Sequence, residues 1–166
     1  MYQTIQDFVD DWKYENEATL KVLRALTDAS FGQKVTAEGR SLGYLAWHIV
    51  LTLSEMGGKT GLFVKAPAED APQPEKAAEI AAAYETASQS ITDDVQLKWT
   101  DSSLRDEIDM YGDKWKRGYA LASMVKHQIH HRAQMTVLMR QAGLKVPGIY
   151  GPSREEWSQF SMPPQK

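Results

Sequence analysis

The sequence predicts an all-α protein, a four-helix bundle. Three observations carry that expectation. Apolar residues recur at helical spacing in four long stretches, and short polar, Gly- and Pro-containing segments separate them. The length, 166 residues, suits one domain with a core large enough to fold without disulfides or a structural metal. A short run before the last stretch is the only segment with strand-like alternation.

In the first stretch Ile5, Phe8, Val9, Trp12, Leu20, Leu23 and Leu26 trace one face, with Asp, Glu and Lys elsewhere. A polar segment from Asp28 to Arg40, holding Gly32 and Gly39, ends it. Ser41 is placed to N-cap a second helix from Leu42 to about Thr60. That helix is apolar almost all round (Leu42, Leu45, Ile49, Val50, Leu53, Met56), which predicts a central position. Gly57, Gly58 and Gly61 mark its end, and a loop with Pro67, Pro72 and Pro74 follows. The third helix is expected from about Glu75 to Leu97, with Ala77, Ile80, Ala81, Tyr84, Ile91 and Val95 on one stripe. Within Lys98–Lys116, the run Ile108 to Trp115 alternates around Gly112-Asp113 and reads as a short hairpin. The fourth helix runs from about Gly118 to Gln141, with Gly143 as its C-terminal cap. Beyond it, Ser153-Arg154-Glu155-Glu156 has capping-box spacing and predicts one short terminal helix. No repeat, low-complexity tract or linker divides the chain, so residues 1–166 are expected to form a single domain.

Composition excludes several function classes. There are 19 Lys+Arg and 22 Asp+Glu, a net charge of −3, which argues against a phosphate-neutralising surface for nucleic acid. The chain has no cysteine, which removes thiolate nucleophiles, CxxC redox chemistry and Cys-ligated metals. Any thiol chemistry must therefore bring its thiol on a small molecule. The acidic start MYQTIQDFVDDW does not read as a signal peptide, and no run is long and apolar enough to span a membrane. A cytoplasmic location is the resulting expectation.

The four histidines fall in two places: His48 in the second helix, and His127, His130 and His131 in the fourth. At about 100° per residue, His127 and His131 lie roughly 40° apart on one face. That face also carries Ala120, Met124, Met135 and Leu138, so both imidazoles should point into the bundle, with His130 at the stripe's edge. Two inward imidazoles at i, i+4 are metal-ligand spacing. His48, in the most apolar helix and without a local partner, is the natural third. Buried imidazoles left unpaired cost about 1–3 kcal/mol each, and one metal would satisfy all three. The competing reading is three core or boundary histidines satisfied by ordinary neighbours.

His127-Gln128-Ile129-His130-His131 has the outline of HExxH, but Gln128 replaces the glutamate that serves as general base, which argues against a zincin peptidase. There is no Glu-x-x-His pair for a carboxylate-bridged di-iron bundle, no phosphate-binding Gly loop and no GxSxG elbow. Glu55, seven residues after His48, reads as a fourth ligand, a base or a carboxylate at the bundle's mouth. Gln134, three after His131, reads as a substrate contact or a polar residue at the bundle edge. Arg132 and Gln128 flank the apolar stripe and fit either a partner-helix interface or a buried ion pair.

The segment Arg40-Ser-Leu-Gly-Tyr-Leu-Ala-Trp-His48-Ile-Val, then His127-Gln-Ile-His-His131-Arg-Ala-Gln134, then Val146-Pro-Gly-Ile-Tyr-Gly-Pro152 resembles the DinB-like proteins, the DinB/YfiT-like metalloenzymes. The resemblance covers nearly the whole chain. It implies a four-helix bundle, usually a homodimer, with one divalent metal held by His48, His127 and His131. Gln128 departs from the glutamate of many members, and Ala133 from their glycine. Relatives resemble low-molecular-weight-thiol S-transferases or thiol-dependent isomerases, so the leading expectation is a metal-dependent transferase using a thiol and a small electrophile. Gln134 and Glu55 are the candidates to orient the substrate. A metal-dependent hydrolase and a non-enzymatic metal-binding stress-response protein are the alternatives. Zinc and nickel both suit three imidazoles. A homodimer is also expected from a contact face built on Arg132 and Gln128 with Phe8 and Trp12.

Overall fold

A computed structural model describes residues 1–161 and 163. Its long elements are α1 (Ile5–Arg24), α2 (Leu42–Thr60), α3 (Ala77–Lys98) and α4 (Arg117–Gln141), with the hairpin strands β1 (Glu107–Met110) and β2 (Asp113–Lys116) before α4. α2 packs on α3 and α4, and α1 packs on the same two helices. α1 and α2 therefore stand at opposite corners of a square. This is why the polar segment between them is long: it crosses the bundle's end. Among the described residues no helix is long and apolar enough to cross a membrane.

Local chemistry sets the helix ends close to where the sequence places them. Thr4 accepts the Asp7 amide at 3.1 Å, and Ser41 accepts the Tyr44 amide at 3.1 Å, each satisfying one orphan donor of a first helical turn. α3 is capped differently. Its first amide, Ala77 N–H, donates to Asp28 Oδ1 at 2.8 Å, a cap delivered from the segment after α1. The core is continuous from Phe8 and Trp12 through Leu45, Ile49 and Leu53 to Met124, Met135 and Leu138. α2 is buried along most of its length, as its all-round apolarity predicts.

The hairpin forms, with its turn one residue earlier than expected. Met110 pairs with Asp113, and the turn residues Tyr111 and Gly112 have φ of +55° and +89°. Two left-handed residues make the tight hairpin turn whose twist matches the strands. Burial of Met110 pins that register. The start of α4 is held by a close approach: a Cβ on Gly118 would meet the Tyr2 carbonyl oxygen at 2.6 Å.

Two expectations are corrected. The short terminal helix starts later and winds tighter than expected; residues 154–156 make turns and Trp157–Phe160 a single 3-10 turn. Only half of the box is made. Glu156 accepts the amides of Gly148 at 2.9 Å and Ser153 at 3.2 Å, while Ser153 Oγ has no partner. The carboxylate is committed to closing the Pro147–Pro152 loop rather than to starting a helix. The contact face inferred from Arg132, Gln128, Phe8 and Trp12 is also absent, because all four lie inside the monomer at 2% exposure or less. Arg132 instead forms a buried ion pair with Glu15 at 2.5 Å. It also donates to Thr19 Oγ1 at 3.1 Å and to the Tyr150 hydroxyl at 2.7 Å, and that hydroxyl donates to Glu15 at 2.7 Å. The C-terminal loop is thereby tied to α1 and α4.

Candidate metal centre

α2 and α4 bring His48, His127 and His131 together. One ring nitrogen from each lies within 4.8 Å of the other two, a set that can hold a metal ion. The His127 and His131 Nε2 atoms are 3.1 Å apart. The His48 ring meets His131 edge-on with centroids 4.7 Å apart, and lies 5.2 Å from His127. Helical geometry explains the convergence. The i, i+4 pair on α4 projects one pair of rings toward the corner where α2 packs, and His48 faces it from the other side.

The three rings are held neutral, which is the form that ligates. Burial, then the nearness of the titratable His131 ring and of the Arg40 guanidinium, pushes His48 down to about 4. Burial, then the neighbouring histidines, does the same to His127, also to about 4. His131 is lowered by burial against the opposing effect of its hydrogen bond to Gln134.

Gln134, expected to orient a substrate, contacts two histidines. Its carboxamide oxygen lies 2.7 Å from His131 Nδ1, and its amide nitrogen lies 3.1 Å from His130 Nε2. With an oxygen as acceptor, His131 carries its proton on Nδ1 and offers Nε2 as a lone pair. This is the second layer typical of a ligating histidine. His130, excluded as a ligand by periodicity, is exposed and anchors the Gln134 amide. Thr52 Oγ1 approaches His127 Nδ1 at 3.5 Å while donating to the His48 carbonyl at 2.9 Å. Thr52 lies one turn after His48 on α2, and its contact to His127 reaches across to the adjacent helix.

Glu55 is not part of the convergent ligand set. It lines a cavity of about 430 Å³ that opens beside His48, with Tyr44, Thr52, Glu69 and Asp70. Gln128, the position of the missing glutamate, is fully buried away from this cavity. Its amide nitrogen donates to the Ile49 carbonyl at 3.3 Å, and its oxygen has no partner. It braces α4 against α2 rather than reaching a reacting atom.

The donor set fits a divalent ion: three imidazoles, held neutral, one with its tautomer set by a neighbour, beside an open cavity. His48, His127 and His131 would hold it.

Known proteins agree with this architecture. Uncharacterized protein YrdA of Bacillus subtilis (strain 168) is 44% identical over 162 residues, 98% of this chain and 97% of that one. The crystal structure of a DinB-like protein from Bacillus cereus ATCC 10987 superposes with a TM-score of 0.87 at 42% identity, covering 90% of this chain and 100% of that chain. A second DinB-like protein, YjoA of Bacillus subtilis, shares the fold at a TM-score of 0.68 and 18% identity, covering 89% and 99% of the respective chains. The DinB family model matches residues 1–165, and with that match the chain belongs to the DinB family.

Proposed function

We propose that this DinB-family chain is a metal-dependent transferase that joins a low-molecular-weight thiol to a small electrophile. The observation that carries the proposal is the convergence of three neutral imidazoles beside an open cavity in a chain with no cysteine. A zinc or nickel ion held there would supply a concentrated positive charge, which lowers the pKa of a thiol or of water. The chain's own residues do the positioning. Gln134 holds the His131 ring through Nδ1, Thr52 packs against the His127 ring, and Glu55 places a carboxylate on the wall of the cavity beside His48, the side left to the electrophile. In the transfer, the thiol sulfur forms a bond to the electrophilic carbon. The bond from that carbon to its leaving group breaks, the electron pair departs with the leaving group, and the thiol proton passes to solvent.

One observation favours a second reading. Glu55 lies in the same cavity as His48, where a carboxylate base would assist a water instead of a thiol, giving a hydrolase. The test uses metal-loaded protein, a panel of small thiols and a chromogenic halonitrobenzene. Metal-dependent conjugation that disappears in His131→Ala supports the transferase. Background rates with every thiol, together with cleavage of an ester or amide, establish the hydrolase. If neither reacts, the centre belongs to a metal-binding stress-response protein.

A further inference from the structure

Two cavities near the histidine centre differ in charge. The cavity beside His48 is walled by Glu55, Glu69 and Asp70. A second cavity, of about 360 Å³, is walled by Val35, Leu45, Val137 and Leu138, and its polar members are Arg40 and Gln134. Among the described residues no carboxylate lines it. Gln134 links it to the centre through the bond to His131.

Arg40 is the unexplained charge. It immediately precedes the α2 N-cap, is exposed, and takes part in none of the ion pairs among the described residues. Its guanidinium carbon sits 5.2 Å from the centroid of the Tyr44 ring, and Tyr44 stacks on His48 at 5.9 Å with a 12° interplanar angle. Arg40, Tyr44 and His48 thus form a column at i, i+4, i+8 spacing that ends on a candidate metal ligand. Stacking on Tyr44 restrains the guanidinium while leaving its N–H fork free for an anion. Like charge repels an anion from the acidic cavity, so the apolar cavity under Arg40 is the one that admits it.

We propose that Arg40 docks the carboxylate of an anionic thiol, with the thiol's hydrocarbon part against Leu45 and Val137. This rests on the transferase reading, whose thiol it specifies. A guanidinium pairs a carboxylate through two parallel charge-assisted hydrogen bonds, which a neutral group cannot match.

The test compares 3-mercaptopropionate with its neutral isostere 3-mercaptopropionamide. Metal-free protein is titrated with each while NMR follows the Arg40 Nε–H and Gln134 carboxamide signals. The acid is expected to bind about tenfold more tightly than the amide, Arg40→Gln to abolish the difference, and Arg40→Lys to restore part of it. Equal binding of acid and amide, or an acid preference that survives Arg40→Gln, overturns the assignment. In metal-loaded protein, Arg40→Gln should raise the KM for the acid about tenfold and leave kcat nearly unchanged. The two readings fail separately. Acid preference without conjugation of any thiol defeats the transferase and leaves Arg40 an anion-docking residue. Equal conjugation of acid and amide defeats the role of Arg40 and leaves the transferase standing.

Discussion

Replacing Gln134 by leucine removes the acceptor behind His131 and leaves the three ligand side chains in place. The lost hydrogen bond is 2.7 Å long, on an exposed side chain. A neutral pair of this kind contributes about 0.5–1.5 kcal/mol net. Without it the His131 ring is free to carry its proton on either nitrogen and to rotate away from the centre. Outer-layer partners of ligating histidines are worth about 10–100-fold in metal affinity, or roughly 1.4–2.8 kcal/mol. The hydrogen bond alone accounts for the lower end, so about tenfold weaker binding is expected for Gln134→Leu. Gln134→Glu, which keeps an acceptor and adds charge, should bind at least as tightly as the parent. Cobalt(II) titration followed by its visible absorption, with zinc measured by chelator competition, reads both. The urea midpoint of the metal-free variant should correspond to a stability within about 1.5 kcal/mol of the parent, the most that the lost hydrogen bond contributes. Parental metal affinity in Gln134→Leu, with the fold intact, would refute the positioning role.

Arg132→Met strands the Glu15 carboxylate in the core, and urea unfolding should show a loss of about 3–5 kcal/mol. Adding Glu15→Leu should recover most of it; a single-variant loss below about 1 kcal/mol would mean that the pair does not hold the C-terminal loop. The pH dependence of the metal-free protein follows from the centre itself. His48 and His127 sit at about 4 when folded, against an ordinary value of 6.5. The unfolded chain therefore binds more protons between those values, and stability is full above 6.5 and falls as pH drops toward 4. Thermal midpoints of chelator-treated protein across that window check it, and a profile as steep in a His48→Gln, His127→Gln double variant would assign the loss to other groups.

Sequence alone determined what is decided within one or two turns of chain. Four periodic stretches, the Ser41 cap and the Gly61 and Gly143 stops define the helices within a few residues, because periodicity and capping are local. The same 100° step selects His127 and His131 over His130, and the structure brings that pair together with His48. Only tertiary packing decided the rest. That His48 meets them depends on α2 neighbouring α4, which no single-helix pattern encodes. Arg132 finds Glu15, 117 residues away, and Asp28 caps α3 from beyond the end of α1. A place beside the apolar stripe allows Arg132 a buried ion pair, but its partner is not legible because Glu15 reads as an ordinary charge on an amphipathic helix. Spacing places Gln134 on the histidine face, where a substrate contact and a polar residue at the bundle edge look alike. Whether its amide turns to a ligand or to the cavity depends on hydrogen-bond partners one turn back, His130 and His131, whose rotamers are set by the packed bundle.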